Sequence, residues 1–335
     1  MSRPEPTISV VIPTYNRADV TARTVRHLLD QTYDPGGYEI LVVDNSSDAT
    51  PAMVGRIAES AAAPVRVVRT DERLPAVKRN VGTRLASGDL MLFMNDDVWV
   101  GRDFLEEHVR THLAHGEPVA VVGHCEQSAE MPDTAFIRWY RPFAYDEIAH
   151  LADRPVAYRH FWSMNLSLPR AEMLERNLLF HEDWAEIGHE DVELGYRWSR
   201  AGREIFYNPR ARGYHYHPHT LQSACRLQES IGRGLRDLEV LIPEAGLLGR
   251  YGVFSLDNGA RGVFRGLARG ALFNRFTVPP ARRWLERQQA NGALARWMYW
   301  KVLLHHTGRG YAHAPRRAPR PLPIRELELA PGAVA

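Results

Sequence analysis

Residues 77–97, VKRNVGTRLASGDLMLFMNDD, join a segment of helical period to a short apolar run that ends in Asn95, Asp96 and Asp97. The apolar run Leu90–Met94 has the length and composition of a buried strand. Two adjacent carboxylates repel each other, so they persist at low cost only in full solvent or beside a cation. Because Asn and Asp are also ordinary turn residues, this stretch predicts a strand followed by either a solvated turn or a cation site.

The same alternation of short apolar runs and helical segments extends from the N-terminus to about residue 125. Strands are predicted at TISVVIP (7–13), YEILVVD (38–44), APVRVVRT (63–70), DLMLFM (89–94) and PVAVVGH (118–124), and helices near 17–31, 50–62, 75–86 and 102–115. This alternation is typical of an α/β fold, a mostly parallel sheet covered by helices. In such sheets ligands bind at the carboxyl ends of the strands.

Polar clusters follow three of the predicted strands, at residues 13–17, 44–47 and 95–97. Because the carboxyl ends of parallel strands meet at one edge of a sheet, we expect the three clusters to share one rim. Neither G-x-G-x-x-G nor G-x-x-x-x-G-K-[ST] follows any of these strands. The rim is therefore predicted to recognise its ligand with side chains.

The tripeptide HED occurs twice, at residues 181–183 and 189–191, and only the second leads directly into a predicted helix. Glu190 and Asp191 would then lie in its first turn, where the helix dipole favours a carboxylate by about 0.3–1 kcal/mol. Simple capping and a catalytic carboxylate are both compatible with the second HED. For the first HED we expect a capping or loop position.

Three histidines, His215, His217 and His219, alternate shortly after the predicted strand EIFYNP (204–209). On an extended segment this spacing places all three imidazoles on one face. Imidazole is the commonest metal ligand, so the pattern fits either a metal site or a surface cluster. Residues 126–160 are irregular and rich in aromatic side chains, a composition that favours packing over a binding wall.

In their order and spacing, several segments resemble family 2 glycosyltransferases, which are inverting enzymes of the GT-A fold. The resemblance covers about residues 7–220 and is carried by VVIPTYNR, EILVVDNSSD, VKRNVGTRLASGDLMLFMNDD, SMNLSLPRAEML, GHEDVELGYRWSRAG and YNPRARGYH. It implies a GT-A catalytic domain at 1–220, with a nucleotide-sugar half at about 1–125 and an acceptor half at about 126–220. The NDD element looks like the family's Asp-any-Asp, with Asn95 in place of the first acid.

The resemblance also implies a divalent cation, Mn²⁺ or Mg²⁺, bound by Asp97 and His215. Such an ion neutralises the charge that develops on a departing diphosphate. Asp96 would contact the donor's ribose or the waters of the metal. His217 and His219 match no position of the family.

By the same resemblance a nucleoside-diphosphate sugar, with UDP or dTDP favoured, would contact Pro13, Thr14, Tyr15, Asn16, Arg17, Asp44, Arg79, Asn95, Asp96 and Asn165. Asp44 would accept a hydrogen bond from the nucleobase, and Arg79 would lie near base or phosphate. Asn165, with Ser167, would contact the sugar or the diphosphate, or would be a polar residue at a strand end.

An inverting transfer needs one base to take the proton of the acceptor hydroxyl. Asp191 matches that base, with Glu190 as its orienting neighbour or substitute. The acceptor class stays open among a lipid-linked saccharide, a polysaccharide and a small metabolite.

The C-terminal part of the chain has a different character. Residues 221–311 are predicted to be a basic helical extension and residues 312–335 a Pro-rich tail. The whole chain has a formal charge of +2, whereas residues 226–320 carry 17 Lys and Arg against 6 Asp and Glu. Arg261, Arg265 and Arg269 recur every four residues, a pattern that fits either a membrane-surface helix or a solvated face of a packed helix.

The composition of the 335-residue chain narrows the possible cellular location and the possible partners. Only two cysteines are present, without metal-binding spacing, which fits a reducing cytoplasm. No apolar stretch reaches the length of a spanning helix, so we expect any membrane contact to be peripheral, at the inner face of the membrane. We expect no nucleic-acid partner. The alternatives are a nucleotidyltransferase, whose usual Gly-rich loop and lysine are missing from VIPTYNRADV, and an inactive relative that binds a membrane or polyanion.

Overall fold

The computed structural model of the chain describes residues 5–316, except 142, 144, 185, 243, 245–246, 254–270, together with residues 319 and 322. The predicted cationic helix with Arg261, Arg265 and Arg269 lies outside the described residues, as does most of the predicted Pro-rich tail.

Within the described residues, one mixed sheet of eight strands runs through the molecule in the order β3-β2-β1-β4-β7-β6-β8-β5. The strands are β1 Ile8–Thr14, β2 Tyr38–Asp44, β3 Val65–Arg69, β4 Leu90–Met94, β5 Val98–Val100, β6 Ala120–Gln127, β7 Asn165–Pro169 and β8 Ile205–His215. β3, β2, β1 and β4 are mutually parallel, as predicted from their alternation with helices. β7 is antiparallel to both β4 and β6, so the second half of the sheet is mixed.

The helices are α1 Ala18–Leu29, α2 Thr50–Ala58, α3 Pro75–Leu85, α4 Phe104–Ala114, α5 Ala135–Trp139, α6 Tyr145–Ile148, α7 Arg170–Glu175, α8 Glu190–Arg200, α9 Leu221–Leu241, α10 Leu247–Arg250, α11 Val278–Glu286 and α12 Ala293–His313. Three short 3-10 turns lie at Pro35–Gly37, Ala149–Leu151 and Tyr158–His160. All seven residues of β2 are buried, because both faces of the sheet are covered there. The predicted α/β fold is confirmed.

The short strand β5 positions the NDD element, residues 95–97, which we call the acidic turn. It follows Asp97 directly and pairs antiparallel with β8, with Val98 opposite His215. The backbone N–H of Tyr216 then donates to the carbonyl of Asp97 at 2.8 Å. This pairing brings the end of β8, with its histidines, against the NDD element.

Beyond residue 220 the chain forms helices that pack closely on one another. Thr220 caps α9 in a capping box with Ser223. A Cβ on Gly232 would lie 2.1 Å from the carbonyl oxygen of Thr307, and one on Gly310 would lie 2.1 Å from that of Glu229. The backbones of α9 and α12 therefore touch where only glycine fits.

Helix α9 also contacts the segment that precedes α8. Ser230 donates to Glu186 at 2.8 Å, and a ring nitrogen of His189 lies 3.1 Å from the carbonyl of Ile231. In the part of the chain that the structure describes, no helix combines the length and the apolar character that crossing a membrane requires.

Candidate active site

The three polar clusters meet at the carboxyl ends of β1, β2 and β4. The hydroxyl of Thr14 donates to Asp96 at 2.7 Å, and the backbone N–H of Asn16 donates to Ser46 at 2.6 Å. Arg17 donates from one guanidinium nitrogen to both Asp96 and Asp97, at 2.8 Å each. The structure thus brings the clusters to one rim, and Arg17 lies between the paired carboxylates.

Lys78 joins the same rim and was missed by the sequence analysis. Its ammonium donates to the carbonyl of Thr14 and to the side chain of Asn45, both at 2.6 Å. Burial lowers its pKa. Lys78 lies in the VKRN segment, one position before the predicted site residue Arg79. A lysine on a helix has many structural uses, however, so this position alone did not predict a role in the site.

Asp97 lies at the centre of the site and is buried. Its Oδ2 accepts a hydrogen bond from Nδ1 of His217 at 2.8 Å, and Nε2 of His215 lies 3.3 Å from Oδ1. Burial by itself would raise the pKa of Asp97, but His215, His217 and Arg17 outweigh it and hold the pKa well below its usual range. Burial, then the charge of Asp97, raises the pKa of Asp96 to about 6.

The donor set around Asp97 fits a divalent cation. One ligand atom from each of Asp97, His215 and His217 lies within 4.8 Å of the others. Oδ1 of Asp97 is buried without a hydrogen-bond partner, since the contact with His215 lacks hydrogen-bond geometry. A carboxylate with two imidazoles is a ligand set that Mn²⁺ accepts, and carboxylate oxygen suits Mg²⁺. His217, for which the sequence offered no family position, therefore belongs to this group.

Arg79 connects the acidic turn to the head of α8. Its guanidinium donates to Asn95 at 3.2 Å and to Glu190 at 3.2 Å. Glu190 also accepts the backbone N–H of Gly188 at 2.8 Å. Both partners of Arg79 were predicted site residues, and the structure places them at the two terminal nitrogens of one buried guanidinium.

Asp191 lies in the first turn of α8 and is half-buried. Its carboxylate accepts the backbone N–H groups of Val192 at 2.8 Å and of Ser163 at 3.2 Å. Burial, followed by the charge of Glu190, raises the pKa of Asp191 to about 7. That value suits a general base near neutral pH.

The first HED tripeptide makes structural contacts. Glu182 accepts hydrogen bonds from Asn80 at 2.8 Å and from Arg84 at 3.1 Å, both on α3. These contacts fit the loop position expected for residues 181–183.

The predicted nucleoside pocket contains both open and occupied groups. Tyr15 is 56% exposed, Pro13 is half-buried, and the side chain of Asn16 accepts from the backbone N–H of Ser47 at 2.9 Å. Asp44 is buried, accepts the N–H of Ser46 at 2.8 Å and pairs with Arg69. A nucleobase would therefore meet an Asp44 carboxylate that already has two protein partners.

Asn165 is fully buried and is used inside the sheet. Its amide donates to the carbonyls of Ala211 at 2.9 Å and His124 at 3.1 Å, and its oxygen lies 2.8 Å from Nε2 of His108. Ser167 is likewise within hydrogen-bonding distance of His108, at 2.8 Å. The sequence left two interpretations for Asn165 and Ser167, contact with the sugar donor or a polar position in the strand, and the geometry supports the second. Both polar side-chain atoms of Asn165 already have protein partners, so neither is left to contact a nucleotide sugar.

Comparison with known proteins gives a family match for part of the chain. Residues 9–165 match the family described as Glycosyl transferase family 2. Validoxylamine A glucosyltransferase from Streptomyces hygroscopicus subsp. limoneus is 31% identical over 216 residues, which cover 57% of this chain and 48% of that protein. The chain thus spans about half the length of this curated relative.

Solved structures share the fold. The mannosyltransferase PcManGT from Pyrobaculum calidifontis, in complex with GDP-Man and Mn²⁺, superposes with a TM-score of 0.62 at 19% identity, covering 92% of this chain and 88% of that one. S. aureus TarS 1-349 in complex with UDP-GlcNAc superposes with a TM-score of 0.52 at 14% identity, covering 91% of each chain. The fold is therefore GT-A, and the match over residues 9–165 confirms the resemblance of this region to the family 2 glycosyltransferases.

Proposed function

We propose that this protein transfers one sugar from a nucleoside-diphosphate sugar to an acceptor hydroxyl by a single displacement that inverts the anomeric carbon. The observation that carries the proposal is the bridge made by Arg79, at 3.2 Å to Asn95 and 3.2 Å to Glu190. Inversion needs diphosphate-binding groups and a base on opposite sides of one sugar. The bridge holds the acidic turn and the head of α8 in one rigid arrangement.

Asp97, His215 and His217 would hold a divalent cation, Mn²⁺ or Mg²⁺. When bound, it supplies positive charge against the diphosphate that leaves. Arg17, between Asp96 and Asp97, adds a second positive charge at the same place. Thr14, Tyr15 and Asn16 would line the nucleoside pocket.

For the nucleotide we propose a pyrimidine, as a UDP or dTDP sugar. Relatives of the same fold were solved with UDP-GlcNAc and with GDP-Man, so both base classes belong in the test.

Asp191 would take the proton from the acceptor hydroxyl. The N–H groups of Val192 and Ser163 orient its carboxylate. As the proton moves to Asp191, the hydroxyl oxygen forms a bond to the anomeric carbon and the bond from that carbon to the diphosphate breaks. Glu190, held by Arg79 and Gly188, orients the head of the helix and keeps the pKa of Asp191 high.

The test measures the binding of UDP, dTDP and GDP by calorimetry, with and without Mn²⁺, in the wild type and in Asp97→Ala. We expect Mn²⁺ to raise the affinity of one nucleotide by about tenfold or more in the wild type, and Asp97→Ala to lose that gain together with turnover. Asp103→Ala is the control, since Asp103 is exposed and its side chain makes no capping hydrogen bond to α4. If Mn²⁺ raised the nucleotide affinity of Asp97→Ala as much as that of the wild type, a cation site at Asp97 would be excluded.

We also propose that the protein works in the cytoplasm and contacts the inner face of the membrane through the basic region 226–320. Exposed tryptophans on α12 support this, because indole rings favour the membrane–water interface.

A further inference from the structure

A cavity of about 780 Å³ lies between the catalytic part of the chain and the C-terminal helices. Its walls come from α5, the turn Tyr158–His160, the head of α8, and helices α9, α10 and α12. A smaller cavity of about 390 Å³ lies beside His215. Arg141 lines both, so the larger cavity adjoins the one next to the candidate metal ligands.

Two residues close to the candidate base line the larger cavity. Val192 lines it, and the N–H of Val192 donates to Asp191. Trp162 lines it too, and the next residue, Ser163, donates its N–H to the same carboxylate. A ligand in this cavity would therefore contact Val192, which donates to Asp191, and Trp162, which precedes the second donor.

Aromatic side chains form much of the wall: Trp139, Tyr158, Trp162, Tyr251 and Trp300. Flat aromatic faces pack well against ring-shaped ligands that are partly apolar. The Tyr158 hydroxyl donates to Glu244, which fixes that ring. His160, also in the wall, is buried, and its Nδ1 has no hydrogen-bond partner. A ring-bearing ligand with hydroxyl groups would match this lining.

The charge of the lining is positive. Arg141 and Arg159 are exposed at its edge, and neither forms an ion pair with a carboxylate of the described residues. Arg250 pairs with Glu244, and among the described lining residues Glu147 is the acidic one. A guanidinium group binds phosphate or carboxylate through two parallel hydrogen bonds.

We propose that this cavity is the acceptor site and that its ligand is a saccharide carrying an anionic group, with the ring between the aromatic walls and the anion at Arg141 and Arg159. The role of the saccharide as acceptor rests on the proposed function, through Asp191. The existence of the binding site does not.

The test uses three probes of equal ring size: glucose 1-phosphate, glucuronate and glucose. Their binding is measured by quenching of tryptophan fluorescence and by calorimetry. We expect the two anionic probes to bind about tenfold or more tightly than glucose, because charge-assisted hydrogen bonds are the stronger ones. The stronger of the two identifies phosphate or carboxylate as the recognised group. Equal binding of all three would overturn the proposal.

Three variants assign the binding to this cavity. Arg159→Gln should remove most of the preference for anionic probes, whereas Arg287→Gln, an exposed arginine on the same C-terminal region outside the cavity, should keep it. Trp300→Ala should weaken all three probes; Trp300 is 51% exposed, so its truncation leaves the core intact. Unchanged probe binding in Arg159→Gln would place the anion elsewhere and contradict the proposal.

Nucleotide binding, measured in the same variants, separates this proposal from the proposed function. If the anionic probes bind while no nucleoside diphosphate binds with Mn²⁺, the transfer reaction is wrong and the site stands. If nucleotides bind with Mn²⁺ and the anionic probes show no preference, the transfer reaction stands and the acceptor assignment is wrong.

Discussion

Asp97 is held as an anion inside the protein by contacts from three side chains. Arg17 and His217 donate to one of its oxygens, and His215 lies near the other. A buried carboxylate is costly unless it is paired and hydrogen-bonded, so these contacts explain why two adjacent acids are tolerated at the end of β4.

His217 and His219 are a matched pair for testing the metal ligands. Their rings stack with centroids 4.1 Å apart, but only His217 contributes an atom to the group around Asp97. Since removal of even an outer-shell partner costs about 10- to 100-fold in metal affinity, His217→Ala should weaken Mn²⁺ binding by about tenfold or more. His219→Ala should leave it within about threefold. Titration of free Mn²⁺ by electron paramagnetic resonance measures both, and the reverse order would remove His217 from the site.

Asp191 and Asp183 test the base in the same way, because both are the acid of an HED tripeptide. Asp191→Asn keeps the shape and removes the proton acceptor, so turnover should fall by about 10²- to 10⁴-fold with nucleotide binding nearly unchanged. Asp183→Asn should stay within about threefold of the wild type, since a loop carboxylate takes no proton from the acceptor. Steady-state release of nucleoside diphosphate measures both. If Asp183→Asn were inactive and Asp191→Asn active, the assignment of the general base to Asp191 would be wrong. If both variants were active, Glu190 would be the next candidate for the base.

The pH dependence follows from the pKa of about 7 for Asp191. A base works when deprotonated, so kcat/KM should rise as the pH increases through about 7 and level off above it. The charge of Glu190 raises this pKa and that of Arg79 lowers it. Glu190→Gln should therefore move the midpoint to lower pH. A midpoint that is the same in Glu190→Gln and the wild type would mean that another group controls the rate.

At the level of the elements, the packing of α9 on α12 depends on two glycines. Gly232→Ala would place a methyl group 2.1 Å from the carbonyl of Thr307 and force the helices apart, at a cost of about 1–3 kcal/mol in the free energy of unfolding. Gly55→Ala is the control, because nothing lies within 4 Å of a Cβ there and α2 should gain about 0.4–1 kcal/mol. Urea denaturation measures both, and a Gly232→Ala as stable as the wild type would mean that the helices separate without cost.

At the level of the whole molecule, charge and exposed aromatic surface lie in the same region. Leu294, Trp297 and Trp300 on α12 are between 45% and 60% exposed, and the ammonium of Lys301 lies 3.9 Å from a ring centroid of Trp300. Such a combination is typical of helices that bind at membrane surfaces.

We therefore expect the full chain to sediment with anionic vesicles at low salt and to dissociate near physiological salt, where the screening length is about 8 Å. The double variant Leu294→Ala, Trp297→Ala should sediment less, and Leu113→Ala, an equally exposed apolar residue on α4, should behave as the wild type. Sedimentation that is the same with neutral vesicles, or in the double variant, would exclude this face.

The sequence by itself determined the parallel half of the sheet, its helices and the helix that begins at the second HED, because hydrophobic period and turn residues are local properties. Through the order of its motifs it also predicted the resemblance to family 2 glycosyltransferases, which the match over residues 9–165 confirms. The three-residue strand β5 is too short to show a period, and only its pairing with β8 reveals it. The contact between Asp97 and His217 joins residues 120 positions apart, and the enclosure of Asn165 depends on three strands. Such contacts depend on how distant parts of the chain pack together. The same holds for the cavity near Asp191, because its walls come from helices whose hydrophobic period predicts a helix but not a binding site.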